Sequence, residues 1–228
     1  MAYTTIDDPE AYFQTKIYTG TGSSLALTFD GNSDLQPDLV WVKSRTNAYS
    51  HYIYDSTRGV QKRLLTDATS AEGTLAEGLT AFGSDGMTFG TDAGANESSD
   101  AHVAWGWKES ATAGFDIVSY TGNGIDDTDI SHNLSAVPHL MIVKSRDSTS
   151  QNWNVYHHAN TSEPETETLS LNATDATEDN ATKWNDTAPT SSVFTIGISS
   201  GINNDGDDFI AYLFAEKQGF SKFGSYDG

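Results

Sequence analysis

Leu39-Val40-Trp41-Val42-Lys43-Ser44-Arg45, two residues after Pro37, returns as Leu140-Met141-Ile142-Val143-Lys144-Ser145-Arg146, two residues after Pro138. The offset is 101, and Lys-Ser-Arg is kept in both copies. Outward from this phrase, Tyr18-Thr19-Gly20-Thr21-Gly22 matches Tyr120-Thr121-Gly122-Asn123-Gly124 at 102. Leu64-Leu65-Thr66-Asp67-Ala68-Thr69 meets Leu169-Ser170-Leu171-Asn172-Ala173-Thr174 at 105. Met87-Thr88-Phe89-Gly90 meets Phe194-Thr195-Ile196-Gly197, and Val103-Ala104-Trp105 meets Ile210-Ala211-Tyr212, both at 107. The matches keep their order while the offset drifts by a few residues, which is the signature of a tandem duplication. Gly219-Phe220 and Ser225-Tyr226-Asp227-Gly228 echo Gly114-Phe115 and Ser119-Tyr120-Thr121-Gly122, so a third copy, or a short cap, is expected to begin there.

Within each copy the apolar residues run continuously or alternate, without a helical period. Leu39 to Val42 reads as a buried strand and Tyr52-Ile53-Tyr54 as another. His102 to Trp107 alternates, and Val103, Trp105 and Trp107 are expected on the core face against His102, Ala104 and Gly106. Gly-Asn and Asp-Gly clusters punctuate the runs at hairpin spacing. Only Arg58 to Leu65 and Ala71 to Leu79 look helical. The expectation is an all-β chain of two tandem homologous β-sandwich repeats, jelly-roll or lectin-like, each with about six or seven strands; one larger sandwich shared by both copies is the alternative. The boundaries implied are an attachment segment over 1–15, repeats over 16–113 and 114–219, and the start of a third repeat or a linker over 220–228.

The 228 residues carry 12 Lys+Arg against 32 Asp+Glu, a formal charge of −20. Nonspecific phosphate binding needs a basic face, so no nucleic-acid partner is expected, and anionic membrane surfaces are disfavoured for the same reason. The absence of cysteine removes disulfides, thiolate metal sites and cysteine nucleophiles together. No apolar run is long enough to cross a bilayer as a helix, and the opening MAYTTIDDPEAYFQ has neither the basic nor the apolar region of a secretion signal. Aromatic residues make up 11 % of the chain, enough burial to argue against disorder.

No nucleophile elbow, phosphate loop or H-E-x-x-H pair is found, and acidic residues such as Glu163, Glu165 and Glu167 lie in a polar stretch that specifies no glycosidase. The reading is therefore non-enzymatic, with no catalytic residue and no organic cofactor. The six histidines (51, 102, 132, 139, 157, 158) are scattered, and adjacent His157 and His158 on a strand would face opposite ways, so no histidine metal site is expected. Calcium is the metal the sequence suits, through Asp205, Asp207 and Asp208 in the run Asn203 to Asp208, although acidic turns also form without an ion. Trp41, Trp105 and Trp107 read as core, whereas Trp153 and Trp184 lie among polar residues and read as exposed, available to a glycan. Lys43, Arg45, Lys144 and Arg146 stand out where basic residues are scarce, either pairing with local acids or contacting a neighbouring subunit.

Several phrases carry a resemblance over nearly the whole chain. MAYTTIDDPEAYFQ, Leu35 to Lys43, Ser84 to Gly90, His102 to Lys108 and Trp184 to Phe194 resemble a repeat-bearing family of virion structural proteins from tailed bacteriophages, especially phages of marine bacteria. The resemblance implies a place in the virion rather than a precise task; the reading favoured is the N-terminal part of a tail fibre or tail-associated receptor-binding protein, made in the host cytoplasm without a signal peptide and assembled as a homotrimer. Its partners would be a tail adaptor or capsid protein, with a host cell-surface glycan as a further one. A capsid decoration protein or head fibre is the alternative in the same class, and a glycan-binding lectin-like module the alternative from another.

Overall fold

The computed structural model describes residues 4–226, and the fold is all-β, built of antiparallel sheets. The chain forms two compact units, dividing between Glu109 and Ser110. The first comprises Asp8–Ala68 and Glu72–Glu109; the second comprises 110–226 together with residues 4–7 and Thr69–Ala71.

In the first unit a 3-10 turn at Pro9–Ala11, capped by the Asp8 carboxylate on the Glu10 N–H, leads into β1 (Phe13–Thr19). There follow β2 (Leu25–Thr28), β3 (Leu39–Ser44), β4 (Tyr52–Asp55), β5 (Lys62–Leu65), β6 (Gly73–Thr74), β7 (Leu79–Gly83), β8 (Gly86–Phe89), a single helical turn α1 (Ala93–Asn96) and β9 (Ala101–Trp107). Six strands form one sheet in the order β1-β9-β3-β4-β5-β6, and three form a second in the order β2-β8-β7. Between them lie Tyr18, Val40, Val42, Tyr54 and Ala104 from the large sheet and Leu79, Met87 and Phe89 from the small one. This is a sandwich-like arrangement of two faces burying one another.

The second unit runs β10 (Phe115–Thr121), β11 (Thr128–Ser131), β12 (Leu140–Ser145), β13 (Asn154–His157), a 3-10 turn at Pro164–Thr166, β14 (Glu167–Ser170), β15 (Glu178–Asp179), β16 (Val193–Ile196), α2 (Ser200–Asn203) and β17 (Asp208–Phe214). Its large sheet has the order β10-β17-β12-β13-β14-β15, the first unit's order strand for strand, and its small sheet is β11-β16. The register agrees as well: Leu39 faces Trp107 and Asp55 as Leu140 faces Phe214 and His157. No strand among the described residues corresponds to β7. A turn through Asn185 and Asp186, both at positive φ, brings Trp184 into the core instead.

Three local expectations are corrected. Arg58 to Leu65 is not helical: the Asp55 carboxylate accepts the Arg58 N–H and its Nε–H at 2.5 Å, which closes a turn, and β5 follows. Ala71 to Leu79 holds the short strand β6 rather than a helix. Strand β9 is out of phase by one residue, since its core face carries His102, Ala104 and Gly106, with Tyr18 stacked on His102 and Phe29 lying where a Gly106 side chain would go. The opposite face therefore carries Trp41, paired with Trp105, and Trp107 at 4.9 Å from Phe13, all half-buried.

Both ends are packed against the units. Residues 4–15 are part of the folded units: Ile6 is buried, β1 begins at Phe13, and the buried Gln14 amide bonds to the Glu10 and Ser33 carbonyls and the Gly31 N–H. Residues 217–223 fold back as a turn, bridged from Lys217 to Ser221, with Phe223 against Phe214 of β17. Met1 to Tyr3, in the expected attachment segment, and Asp227 and Gly228, in the expected third copy, lie outside the described residues.

Candidate functional site

The repeated motifs resolve into a framework of side-chain-to-backbone locks present in both units. In Tyr-Thr-Gly-x-Gly the first glycine, Gly20 or Gly122, passes so close to a carbonyl (Glu97 or Asn204) that a Cβ would lie 2.1 or 2.2 Å from it. The second, Gly22 or Gly124, has a φ of 65° or 63°, the left-handed region glycine enters without strain. The loop thereby brought in is held by a buried asparagine. Asn96 donates to the Ser23 and Gly90 carbonyls and accepts from the Thr21 N–H; Asn203 donates to the Ile125 and Gly197 carbonyls and accepts from the Asn123 N–H. The motif tyrosines close the same corner, Tyr18 donating to the Ala95 carbonyl at 2.6 Å and Tyr120 to that of Ile202 at 2.8 Å.

Lys-Ser-Arg is a second lock. Lys43 Nζ donates to the Ser44 and Asn47 carbonyls, and Lys144 Nζ to those of Ser145 and Ser148 and to that of Thr69. The Ser44 hydroxyl accepts the Thr46 and Asn47 N–H groups as Ser145 accepts those of Asp147 and Ser148. Lys144 is wholly buried, and this desolvation pulls its ammonium down to about 8. Arg146 lies 3.8 Å from Asp208, and Arg45 is exposed. The lysines thus spend their donors on their own turns, and of the four basic residues Arg45 is the one fully presented to solvent.

The aromatic and acidic candidates are redistributed. Trp153 and Trp184, expected to be exposed, are fully buried, which removes them as glycan contacts. Trp184 donates its Nε1–H to the Glu167 carbonyl and meets Tyr156 edge-on, while Trp153 stacks on Tyr212 at 6.4 Å. Their polar neighbours bond inward rather than to solvent: Asn172 to Asn152 and the Trp153 N–H, Asn152 to Ser170, and Lys183 to Asn154. The three carboxylates of the acidic run are not brought together. Asn203 is committed to its backbone lock, Asp205 is exposed, and Asp208 accepts from Thr121 at 2.8 Å. The carboxylates of Asp205, Asp207 and Asp208 do not gather round a common point; among the described residues the one group of three or more ligand-type side chains that does so is His139, His158 and Glu216.

That group is built by the large sheet of the second unit. Strands β17, β12 and β13 are neighbours, with Leu140 facing both Phe214 and His157, and the next residues outward are His139, His158 and, two beyond Phe214, Glu216. The His139 N–H donates to Phe214 and the His158 N–H to His139, which extends the ladder and sets the two rings 4.5 Å apart, edge to face. Glu216 Oε1 lies 3.6 Å from His158 Nε2 and accepts the Phe223 N–H; Oε2 pairs with Lys222 at 2.8 Å. Burial, followed by the neighbouring His158 ring, lowers the His139 pKa, and the Lys222 hydrogen bond lowers that of Glu216. An open cavity of about 700 Å³ adjoins the group, lined by His139, Glu216 and the turn from Gln218 to Lys222. Sequence reasoning missed this triad because its members lie 19 and 58 residues apart and only strand order brings them together.

A family model for a domain of unknown function, DUF7483, matches residues 8–228, spanning both units. The chain belongs to the DUF7483 family. No curated protein and no solved structure matches it.

Proposed function

We propose that this DUF7483 chain is a non-catalytic structural component of a tailed-phage virion, most simply part of a tail fibre or tail-associated receptor-binding protein assembled as a homotrimer. The observation that carries the proposal is the duplicated framework: both units use their buried polar side chains to fasten turns to the backbone, the construction expected of a stiff, protease-resistant β module. The resemblance of several phrases to virion proteins supports the location. The two units are read here as copies of one jelly-roll or lectin-like sandwich, on the strength of their common strand order and register. A surface with formal charge −20 resists self-association until a specific partner is met.

Gold-labelled antibody against residues 1–228 on intact virions tests the proposal. Label on the tail or its appendages is expected; label over the head reassigns the chain to a capsid decoration protein or head fibre, and no label on purified particles overturns the virion reading. Glycan binding is favoured as a second reading by one observation, the half-buried aromatic row of Phe13, Trp41, Trp105 and Trp107 on the first unit's large sheet. Replacing Trp41 and Trp105 with Ala should abolish retention on host polysaccharide; unchanged retention removes this face from consideration.

A further inference from the structure

We propose that His139, His158 and Glu216 form a site for a divalent transition-metal ion of the zinc class. One ligand atom from each residue already lies within 4.8 Å of the other two. The separation of 3.6 Å between His158 Nε2 and Glu216 Oε1 is close to the edge of a tetrahedron with zinc bond lengths, about 3.4 Å. Two imidazoles and a carboxylate are a borderline donor set that suits zinc, cobalt or nickel and not calcium, which prefers oxygen alone. The fourth position would open toward the adjoining cavity, where a water or an acceptor group from a partner could complete the shell.

The duplication supplies an internal comparison. By register, the first unit has Asp38 where the second has His139, Ser56 where it has His158, and Glu109 where it has Glu216. Asp38 does the structural work there: it accepts the Ser56 hydroxyl and the Glu109 N–H, each at 2.9 Å. His139 Nδ1 accepts the Glu216 N–H at 3.2 Å, the counterpart of that second bond. Closing this corner of the sandwich therefore needs only an acceptor and a small hydroxyl. The second unit has two ring nitrogens in their place, which adds ligand capacity the fold does not require.

Loading exchanges hydrogen bonds for coordination. His158, whose Nε2 is now 2.9 Å from the Phe223 carbonyl, would carry its ring proton on Nδ1 instead and turn Nε2 to the metal, His139 would release the Glu216 N–H or present its other nitrogen, and exposed Lys222 would leave Glu216. The ion would then fasten the ends of β12, β13 and β17 to one another and order the turn from Lys217 to Phe223.

The test is calorimetric titration of the full chain with Zn²⁺, repeated with Co²⁺ to read the visible bands of a tetrahedral site. One equivalent bound, with a rise in the second unit's melting temperature, is expected. The double substitution His139→Asp with His158→Ser installs the first unit's residues, so it should fold normally and weaken binding at least about 100-fold, since it removes two direct ligands. If that variant fails to fold, Glu216→Gln tests the same site by removing the carboxylate charge. Absence of stoichiometric binding by the wild-type chain, or equal binding by a folded variant, overturns the proposal, because the ion would then be held by other side chains.

Discussion

Replacing His102 with Phe should stabilise the first unit, and more so in acid. The His102 side chain is completely buried on the core face of β9, and its ring nitrogens make no hydrogen bond of good geometry among the described residues, although the Glu97 carbonyl acts on the ring. Its ring stacks on Tyr18 at 5.2 Å and 15°. The second unit places Phe209 at the matching position, stacked on Tyr120 at 5.2 Å and 11°, so the same niche accepts a phenyl ring. Removing a buried polar group without hydrogen bonds of good geometry is worth about 1–3 kcal/mol, from which some strain of fitting the slightly larger ring is subtracted. We expect about 1–2 kcal/mol at neutral pH. Acid adds to this. Burial lowers the His102 pKa below 6.5, and the nearby Asp100 carboxylate and Glu97 carbonyl, which pull the other way, are outweighed. Because the folded pKa is the lower one, the unfolded chain binds more protons below 6.5, so stability is intact above that pH and is lost as pH falls toward the folded value. The loss is at most about 1.4 kcal/mol per pH unit. At pH 5 the advantage of His102→Phe should therefore grow by as much as about 2 kcal/mol. Urea titrations of both proteins at pH 7.5 and pH 5, followed by tryptophan fluorescence, measure this. A variant that is less stable at both pH values, or an advantage identical at the two, would refute the reasoning.

The framework locks yield further predictions. Asn96→Ala and Asn203→Ala each strand two backbone carbonyls and one N–H, and each should cost about 2–4 kcal/mol in urea unfolding. Gly122→Ala forces a Cβ to within 2.2 Å of the Asn204 carbonyl and should destabilise the second unit by more than about 2 kcal/mol, whereas Gly206→Ala, with open space around it, should cost only the milder strain of its positive φ; paired thermal melts separate the two. Lys144, with a folded pKa near 8 against 10.5 unfolded, binds fewer protons folded than unfolded between those values, so the wild-type chain should gain up to about 3 kcal/mol as pH rises from 8 toward 10.5. Lys144→Met should abolish that rise, as stability measured at pH 7.5 and 9.5 would reveal.

The all-β class and the duplicated strand order were legible because a strand's neighbours impose short-range patterns: Leu39 to Ser44 and Leu140 to Ser145 are strands in register-equivalent places. Phase was less legible. In β9 both alternating sets are apolar enough to be core, and the deciding contacts, Phe29 over Gly106 and Tyr18 on His102, come from residues more than 70 positions away. Polarity misled at the tryptophans, because the asparagines beside Trp153 bond to one another and to backbone, a use that composition does not distinguish from solvation. The acidic run misled similarly, since Asn203 looks like an oxygen ligand but serves as the fastening of α2. The histidine triad was invisible because it depends on β17 and β13 flanking β12, a topological fact with no local signal.

The strand order and register common to the two units separate what the fold demands from what one unit has added. Where both units carry the same device, as with Asn96 and Asn203 or Lys43 and Lys144, the device closes a turn that any copy must close, and its loss should appear as lost stability. Where they differ at a matched place, the sandwich tolerates both residues, so stability alone does not choose between them. Asp38 against His139, which lines the open cavity of the second unit, and Ser56 against His158 differ in this way, as do Trp105 and Tyr212. Exchanging residues between copies at such places leaves the framework intact while moving the added chemistry, so an exchange that changes a binding property without lowering the melting temperature marks a functional position. One that lowers the melting temperature alone marks a packing adjustment. The His139→Asp, His158→Ser exchange is the sharpest case, because the first unit has already demonstrated that the incoming pair can close the corner by hydrogen bonds.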